Sequence, residues 1–304
     1  YLDGGGNTFI SEVSADTIQF TAGGNANFKL DANSRISLSN NDSEGASNTI
    51  FGYLAGDDIT DSASYNTFLG HNAGHTNQLG DRNIAIGYQA MDASYISGGT
   101  TDNSNVDNVF IGNNAGGGSW TTAASHSNVG IGTSVMSSAM QGAYANTGVG
   151  HSSLMDVTTG YRNTAMGSWA LYEMATGDSN VAVGYASQQN SASGRYNTAL
   201  GSDSLYSNVQ GDNNTSIGFA TLYDFAAGSD GEGSNTAVGS EASRHLDSGQ
   251  FNTMIGAKAG QSAAGTITYE ENTGVGYKAM MDMVSGTANV AIGNNALENA
   301  TTAT

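Results

Sequence analysis

The sequence predicts an all-β repeat fold, a β-solenoid of about 14 coils, from three observations. First, the pentapeptide Asn, β-branched residue, any residue, large apolar residue, Gly occurs fourteen times. Its Asn stands at Asn48, Asn66, Asn83, Asn108, Asn128, Asn146, Asn163, Asn180, Asn197, Asn214, Asn235, Asn252, Asn272 and Asn289. Seventeen is both the shortest and the commonest interval, with longer units up to 25, which describes a coil of fixed circumference that extrudes loops. Second, Gly is 43 of 304 residues, Pro and Cys are 0, and charged residues are 12%, far under the ordinary quarter. Third, β-branched residues are regularly placed, which separates this polar chain from a disordered one.

Each pentapeptide reads as a short strand. Its second position is Thr in nine units, Val in four and Ile84 in one, and its fourth is always large and apolar, as in Phe51, Leu69, Met166, Ile217 and Val275. Strand side chains alternate, so these two positions share a face, and their regularity predicts that this face lines the coil's interior. The third position, Ala, Gly or Ser in ten units, points the other way and is expected to meet a neighbouring subunit. Asn tolerates the left-handed region and, in register, can form an amide ladder. The Gly then ends the strand where the coil turns. Asn163, Gly167, Asn180, Gly184, Asn197, Gly201, Asn214 and Gly218 are accordingly framework positions.

A second Gly stands three residues before the Asn in eight units, among them Gly160, Gly177, Gly194, Gly211 and Gly286, giving two glycine corners per coil. After the strand, a small residue such as Ala170 or Ala296 precedes Leu171, Met280 or Gly260 at the matching places, a second and weaker wall. Ordering a lone coil costs more backbone entropy than its few apolar side chains return. The unit must therefore recur, each copy templating the next.

The chain divides at residue 47. Residues 1–47 alternate in TIQF, NFKL and RISLS, pairing Ile18 with Phe20, Phe28 with Leu30 and Ile36 with Leu38 on common faces, with AGGN and DANS as turns. This predicts a β meander serving as a shaft or cap, ahead of a repeat domain at 48–304. The start at Tyr1, without an initiator Met, suggests a fragment or processed product.

The formal charge of −19, from 27 acidic and 8 basic residues, argues against nucleic acid as a partner. No apolar run approaches the ~20 residues of a membrane span. No phosphate loop, dinucleotide fingerprint or serine elbow is present. His71, His75, His126, His151 and His245 fall at different places, and Asp57, Asp58 and Asp61 read as a solvated loop. Carboxylates such as Asp224, Asp230, Glu232, Glu270 and Glu271 lie in spacers without a pairing that sequence defines. No cofactor, metal site or catalytic residue is expected, and the chain is read as no enzyme. Ice binding is disfavoured because Thr interchanges with Ile and Val at a position taken to be buried.

The runs NTALG, NVAVGYAS, NVAIGNNAL and NTAMGSWAL resemble the head repeats of trimeric autotransporter adhesins and similar repeats of bacteriophage tail-fibre proteins. YLDGGGNTFISEVSADTIQF with ANFKLDANSRISL resembles the lead-in segment of such phage fibres. The resemblance spans nearly all of the chain and implies a left-handed parallel β-roll, a homotrimer, and surface attachment. Its period of 17 is longer than the adhesin spacing, and the stalk, anchor and self-cleaving chaperone of those families are not seen.

The expected function is thus a structural fibre protein of a virus, a tail or virion fibre presenting a multivalent host-attachment surface. Bacterial cell-surface adhesin head is the alternative and polysaccharide-degrading tailspike the lesser one. Expected partners are two further copies of the chain, other virion or fibre proteins, and a host-surface glycan or protein receptor. The expected location is the virion surface or extracellular space, or else the bacterial cell surface. Because extruded loops carry contacts on a rigid scaffold, Tyr95, Ile96, Trp120, Tyr223, Phe225 and Tyr269 are the receptor-contact candidates.

Overall fold

The computed structural model describes residues 47–59, 63–94, 105–120, 123–227, 233–262 and 267–300. It also gives backbone alone for 9–14, 17–22, 25–30, 36–37 and 302–303. All fourteen pentapeptides form strands of three residues, from Thr49–Phe51 to Val290–Ile292, in one parallel sheet whose order follows the chain. The register never slips: Thr164 faces Val181, Ala165 faces Ala182 and Met166 faces Val183, and each later pair repeats this alignment. The fold is a parallel β-solenoid with thirteen turns between first and last strand and no helix among the described residues.

Asn accounts for the regular register. The backbone N–H and side-chain Nδ2 of Asn180 both donate to Asn163 Oδ1 at 3.0 Å, and its Nδ2 also reaches Gly194 O at 2.7 Å. The same bonds recur at Asn146, Asn163, Asn235 and Asn252. The expected amide ladder therefore exists, and it runs inside the coil, where these side chains are almost wholly buried. Buried amides satisfied on several sides hold one geometry, because any shift orphans a polar group.

The ladder overturns the predicted facing of the strand. With Asn inside, alternation puts the third residue inside and the second and fourth outside. In every strand of the array the middle residue is buried and its neighbours are half-buried or exposed. The small residues Gly148, Ala165 and Ser216 thus line the interior, while Thr, Val, Ile and Leu look out. The left-handed residue is also not the Asn but the one before it: from Tyr65 to Ala288 this residue has φ of 55 to 63°.

The interior is a narrow gap between the strand and the wall formed by Ala170, Leu171, Met174 and their equivalents, all fully buried. This second wall is the main apolar side of the core. The gap has constant width, so bulk on one side must be matched by its lack on the other. Only four units carry a large third residue, namely Ile50, Phe68, Phe110 and Met254. In these four the facing wall residue is Gly56, Gly74, Gly116 and Gly260, where the other units have Leu, Met, Gln or Ser. A Cβ at Gly74 would lie 2.6 Å from the Phe68 ring, and one at Gly116 would lie 2.8 Å from the Phe110 ring.

The strand-ending glycines serve a different need. Gly201 has φ of 137°, and a Cβ there would stand 2.3 Å from Gly218 O of the next coil. At Gly160 and Gly177, the second corner, φ is not positive; a Cβ is excluded because it would lie 2.6 and 2.3 Å, respectively, from the next coil's carbonyl oxygen. Before the array, strands Phe9–Ser14, Thr17–Ala22, Asn25–Leu30 and Ile36–Ser37 form an antiparallel sheet in chain order, as expected for a meander. The AGGN and DANS turns lie largely outside the described residues.

The size matching gives a test by urea denaturation. Phe68→Ala is expected to cost about 3–5 kcal/mol through the cavity it leaves. Gly74→Leu alone is destabilising by overpacking. The double variant is expected to regain a large part of the loss, since Leu154 and Leu171 occupy the same turn with φ of 50 and 51°.

Candidate functional site

The outward side of the fourteen-stranded sheet runs the whole length of the repeat array. Its two rows consist of Thr, Val or Ile in the second position and Phe, Leu, Ile, Val or Met in the fourth, with no charged residue in either. Phe51, Leu69, Ile131, Met166, Leu200, Ile255 and Ile292 are all exposed to solvent. The strands pair in register throughout, so these side chains form unbroken stripes along the solenoid. Scattered exposed apolar residues are ordinary, whereas a contiguous apolar face is the kind of surface found at interaction sites and ligand-binding grooves, which makes this one the candidate site.

Rings frame this face on both sides. Tyr53, His71, Tyr88, His151, Tyr185, Phe219 and Tyr277 directly follow a strand-ending Gly, while Tyr65, Tyr196 and Phe251 directly precede an Asn. All are exposed, among them the apolar rings of Phe219 by 52% and Phe251 by 59%. Because equivalent residues stack up the solenoid, rings meet ring to ring. His71 lies 5.3 Å between centroids from both Tyr53 and Tyr88.

Two further ladders lie outside the strands of this sheet. His126, Tyr144 and Tyr161 stack at 5.2 and 4.7 Å, with the Arg162 guanidinium 5.6 Å from the Tyr161 centroid. Tyr206 and Tyr223 stack at 4.8 Å, with Arg244 5.6 Å from Tyr223. Rings piled in this way offer their edges and hydroxyls sideways, since each ring's faces are occupied by the rings above and below.

Charge is absent from the two rows but present at their border, where Arg82, Asp107, Arg162 and Glu271 directly precede an Asn, and in the turns, which carry Asp57, Asp58, Asp92, Asp156, Glu173, Asp224 and Asp282. Paired groups are local. Arg82 holds Asp107 in a two-pronged bond of 2.6 and 3.1 Å, which keeps that carboxyl below its usual range. His245 Nδ1 is 2.5 Å from Asp224 Oδ2. Burial pushes Glu241 up, but hydrogen bonding and charge from Lys258, with further help from Gln261 and Arg244, bring it below its ordinary value. Asp92 is held above the usual carboxylate range by burial, and its Oδ1 is buried without a partner.

The six contact candidates do not form a common site. Trp120, Phe225 and Tyr269 are fully buried, which corrects the expectation that they meet a receptor. Trp120 packs edge-on to Phe110 at 5.6 Å. The Tyr269 hydroxyl donates within the core to Gly260 O and lies 3.0 Å from Ser243 Oγ, and burial pushes its pKa far up. These units are longer because part of the extra chain folds back as core, and an aromatic side chain is what fills that room. Tyr223 alone is at the surface, half-buried in its ladder. Tyr95 and Ile96 lie outside the described residues, as do Asp61, Asp230 and Glu232. Among the described residues no three His, Asp or Glu groups gather as metal ligands, and no helix is long and apolar enough to cross a membrane.

The ladders were missed in the sequence although their signal is there. Rings recur at a constant offset from the unit, one residue after the Gly, two before the Asn or five after the Gly. The ice-binding argument also changes its basis: the Thr position faces outward, and it is the apolar fourth position beside it that breaks a hydroxyl lattice.

No protein-family model matches the chain, nor does any curated protein or solved structure.

Asp92 provides a pH test. Its carboxyl is raised in the folded state, so its favourable contribution is present below the unfolded value near 3.8 and disappears as the pH rises through the folded one. Asp92→Asn is therefore expected to raise the melting temperature at pH 7, with the gain shrinking as the pH is lowered toward 3. Melting curves of both proteins across that range measure it.

Proposed function

We propose that the chain is a structural fibre protein, a homotrimeric, left-handed β-roll that carries a multivalent host-attachment surface on a virus tail or virion. The observation that supports this reading is the uncharged apolar sheet face. At about 4.8 Å per strand the face is roughly 60 Å long, and three extended residues make it about 10 Å wide. That is roughly 600 Å², near the ~800 Å² that each partner contributes to a standard interface, before the flanking rings are counted. An identical period on every copy lets parallel chains match strand for strand around a common axis. The net charge of −19 then stays on the outside of the assembly, where it keeps such fibres apart.

Attachment through this rod is by repetition. The assembled fibre offers three copies of every weak contact, and linkage on one stiff body raises their effective concentration. The aromatic and polar ladders outside the strands of the sheet supply the recurrent contact groups for a host-surface glycan or protein.

Sedimentation measures the assembly directly. The chain is expected to sediment at three times its own mass, and the pair Thr198→Lys with Leu200→Lys to yield monomers with an unchanged far-ultraviolet circular dichroism spectrum. Binding to host cells should fall with the loss of the trimer, by more than tenfold if avidity carries it. A wild-type monomer would remove this reading.

A further inference from the structure

We infer that the solenoid is built as two cooperative blocks meeting at a polar layer in the coil of residues 180–196, and that Gln188 is the residue that divides them. The backbone sheet passes through this coil unbroken, in the same register on both sides. The core does not. One apolar cluster runs from Ile50 to Ala182 and a separate one from Ala199 to Ala291, while the buried Ala186 between them belongs to neither.

The reason is local. Where the preceding coil walls its interior with Ala170, Leu171 and Met174, this coil places Ser187, Gln188 and Ser191, all fully buried. Gln188 faces Ala182, and in the size-matched units a small strand residue normally faces Leu or Met. The other exception is Ser243, whose space is filled by Tyr269.

Gln188 also interferes with the Asn ladder. Its Nε2 lies 3.3 Å from Asn180 Oδ1 and 3.2 Å from Ser191 Oγ. Asn197 donates its backbone N–H to Asn180 Oδ1 at 3.0 Å and its Nδ2 to the corner carbonyl of Gly211 at 2.7 Å, as other units do, but it makes no second bond from Nδ2 to the previous Oδ1, a bond that Asn83 also lacks. In the units on either side, Nδ2 of Asn180 and of Asn214 bonds the previous Oδ1. Meanwhile Gln188 Oε1 is buried with no partner. The layer continues beyond this coil as Ser204 and Ser216, but there the hydroxyls are satisfied: Ser204 Oγ donates to Ser216 O at 2.9 Å, and Ser216 Oγ to Thr221 O at 2.8 Å.

In a stack whose stability is a sum of coil and nearest-neighbour terms, a weak neighbour term separates cooperative units. A wall of polar side chains with one orphaned carbonyl is such a term, because it forfeits apolar burial and leaves an acceptor desolvated. The block boundary therefore falls here and not at the longest loop.

The test is hydrogen exchange by mass spectrometry and scanning calorimetry on the whole chain, which needs no receptor and holds for monomer or trimer. The wild type should unfold in two steps, with residues 146–182 and 199–292 losing protection at different denaturant concentrations. Gln188→Leu should merge the two steps and slow exchange of amides 180–197 by at least about tenfold. Gln188→Met serves the same purpose if the branched side chain packs poorly. Conversely, Leu171→Gln should add a boundary one coil earlier. A single wild-type step with both sides exchanging together overturns the inference. So do two steps that persist unchanged, with unaltered exchange, in both Gln188 variants; if neither variant folds, the wild-type exchange pattern alone decides.

Discussion

The inward-facing Asn of each strand is the constraint from which the rest of the solenoid follows. Its amide must bond the Asn of the preceding coil and the corner carbonyl of its own, and it can do so only from inside. Once the first residue of a strand points in, parity settles the others. The third residue enters the gap and must fit it, and the second and fourth are turned out in rows. The inward small residues and the outward rows are thus two consequences of one hydrogen-bonding requirement, since a buried amide left unbonded is costly.

Around that ladder, the fold is held by complementary absences. Gly201 lacks a Cβ because the next coil's carbonyl occupies its place. Gly74 lacks one because Phe68 fills the gap from the other side. The same residue type is required for two different reasons, close backbone approach in one case and a constant gap width in the other. Glycine is abundant here for steric reasons as much as for conformational freedom. Many non-glycine residues accept positive φ, among them Leu154, Leu171 and Leu205 on the inner wall, because satisfied hydrogen bonds to the adjoining coils hold them there. A lone coil has no such neighbours, so the strain can be borne only in the stack.

Much of this was legible in the sequence. The fourteen strands, their parallel order, the constant coil and the amide ladder all follow from one pentapeptide and its spacing. The facing of the strand was misread, for a physical reason: a regularly apolar position looks buried, and nothing in the position itself tells whether it faces the interior or the outside of the coil. The information that decides it was present in Asn, whose burial fixes the parity. The loop candidates failed similarly. Trp120, Phe225 and Tyr269 sit in longer units, but added length builds either an extruded loop or extra core. A large aromatic with a single polar atom suits the second role, as the Tyr269 hydroxyl shows by bonding inside.

The division of the surface explains why a chain so poor in apolar area on its turns can remain orderly. Stacking consumes the backbone of each coil vertically, and the size-matched gap consumes the inner side chains, so neither is available for lateral contacts. What remains outside is sorted by parity: a face with no charge in two rows along all fourteen strands, and turns that hold the acidic excess. Like charge on the acidic turns disfavours contacts made through them, which leaves the uncharged rows as the surface where contact costs least electrostatically. The same alternation that places Asn inside therefore also fixes which side of the solenoid carries the uncharged rows, the side on which we propose that further copies pack.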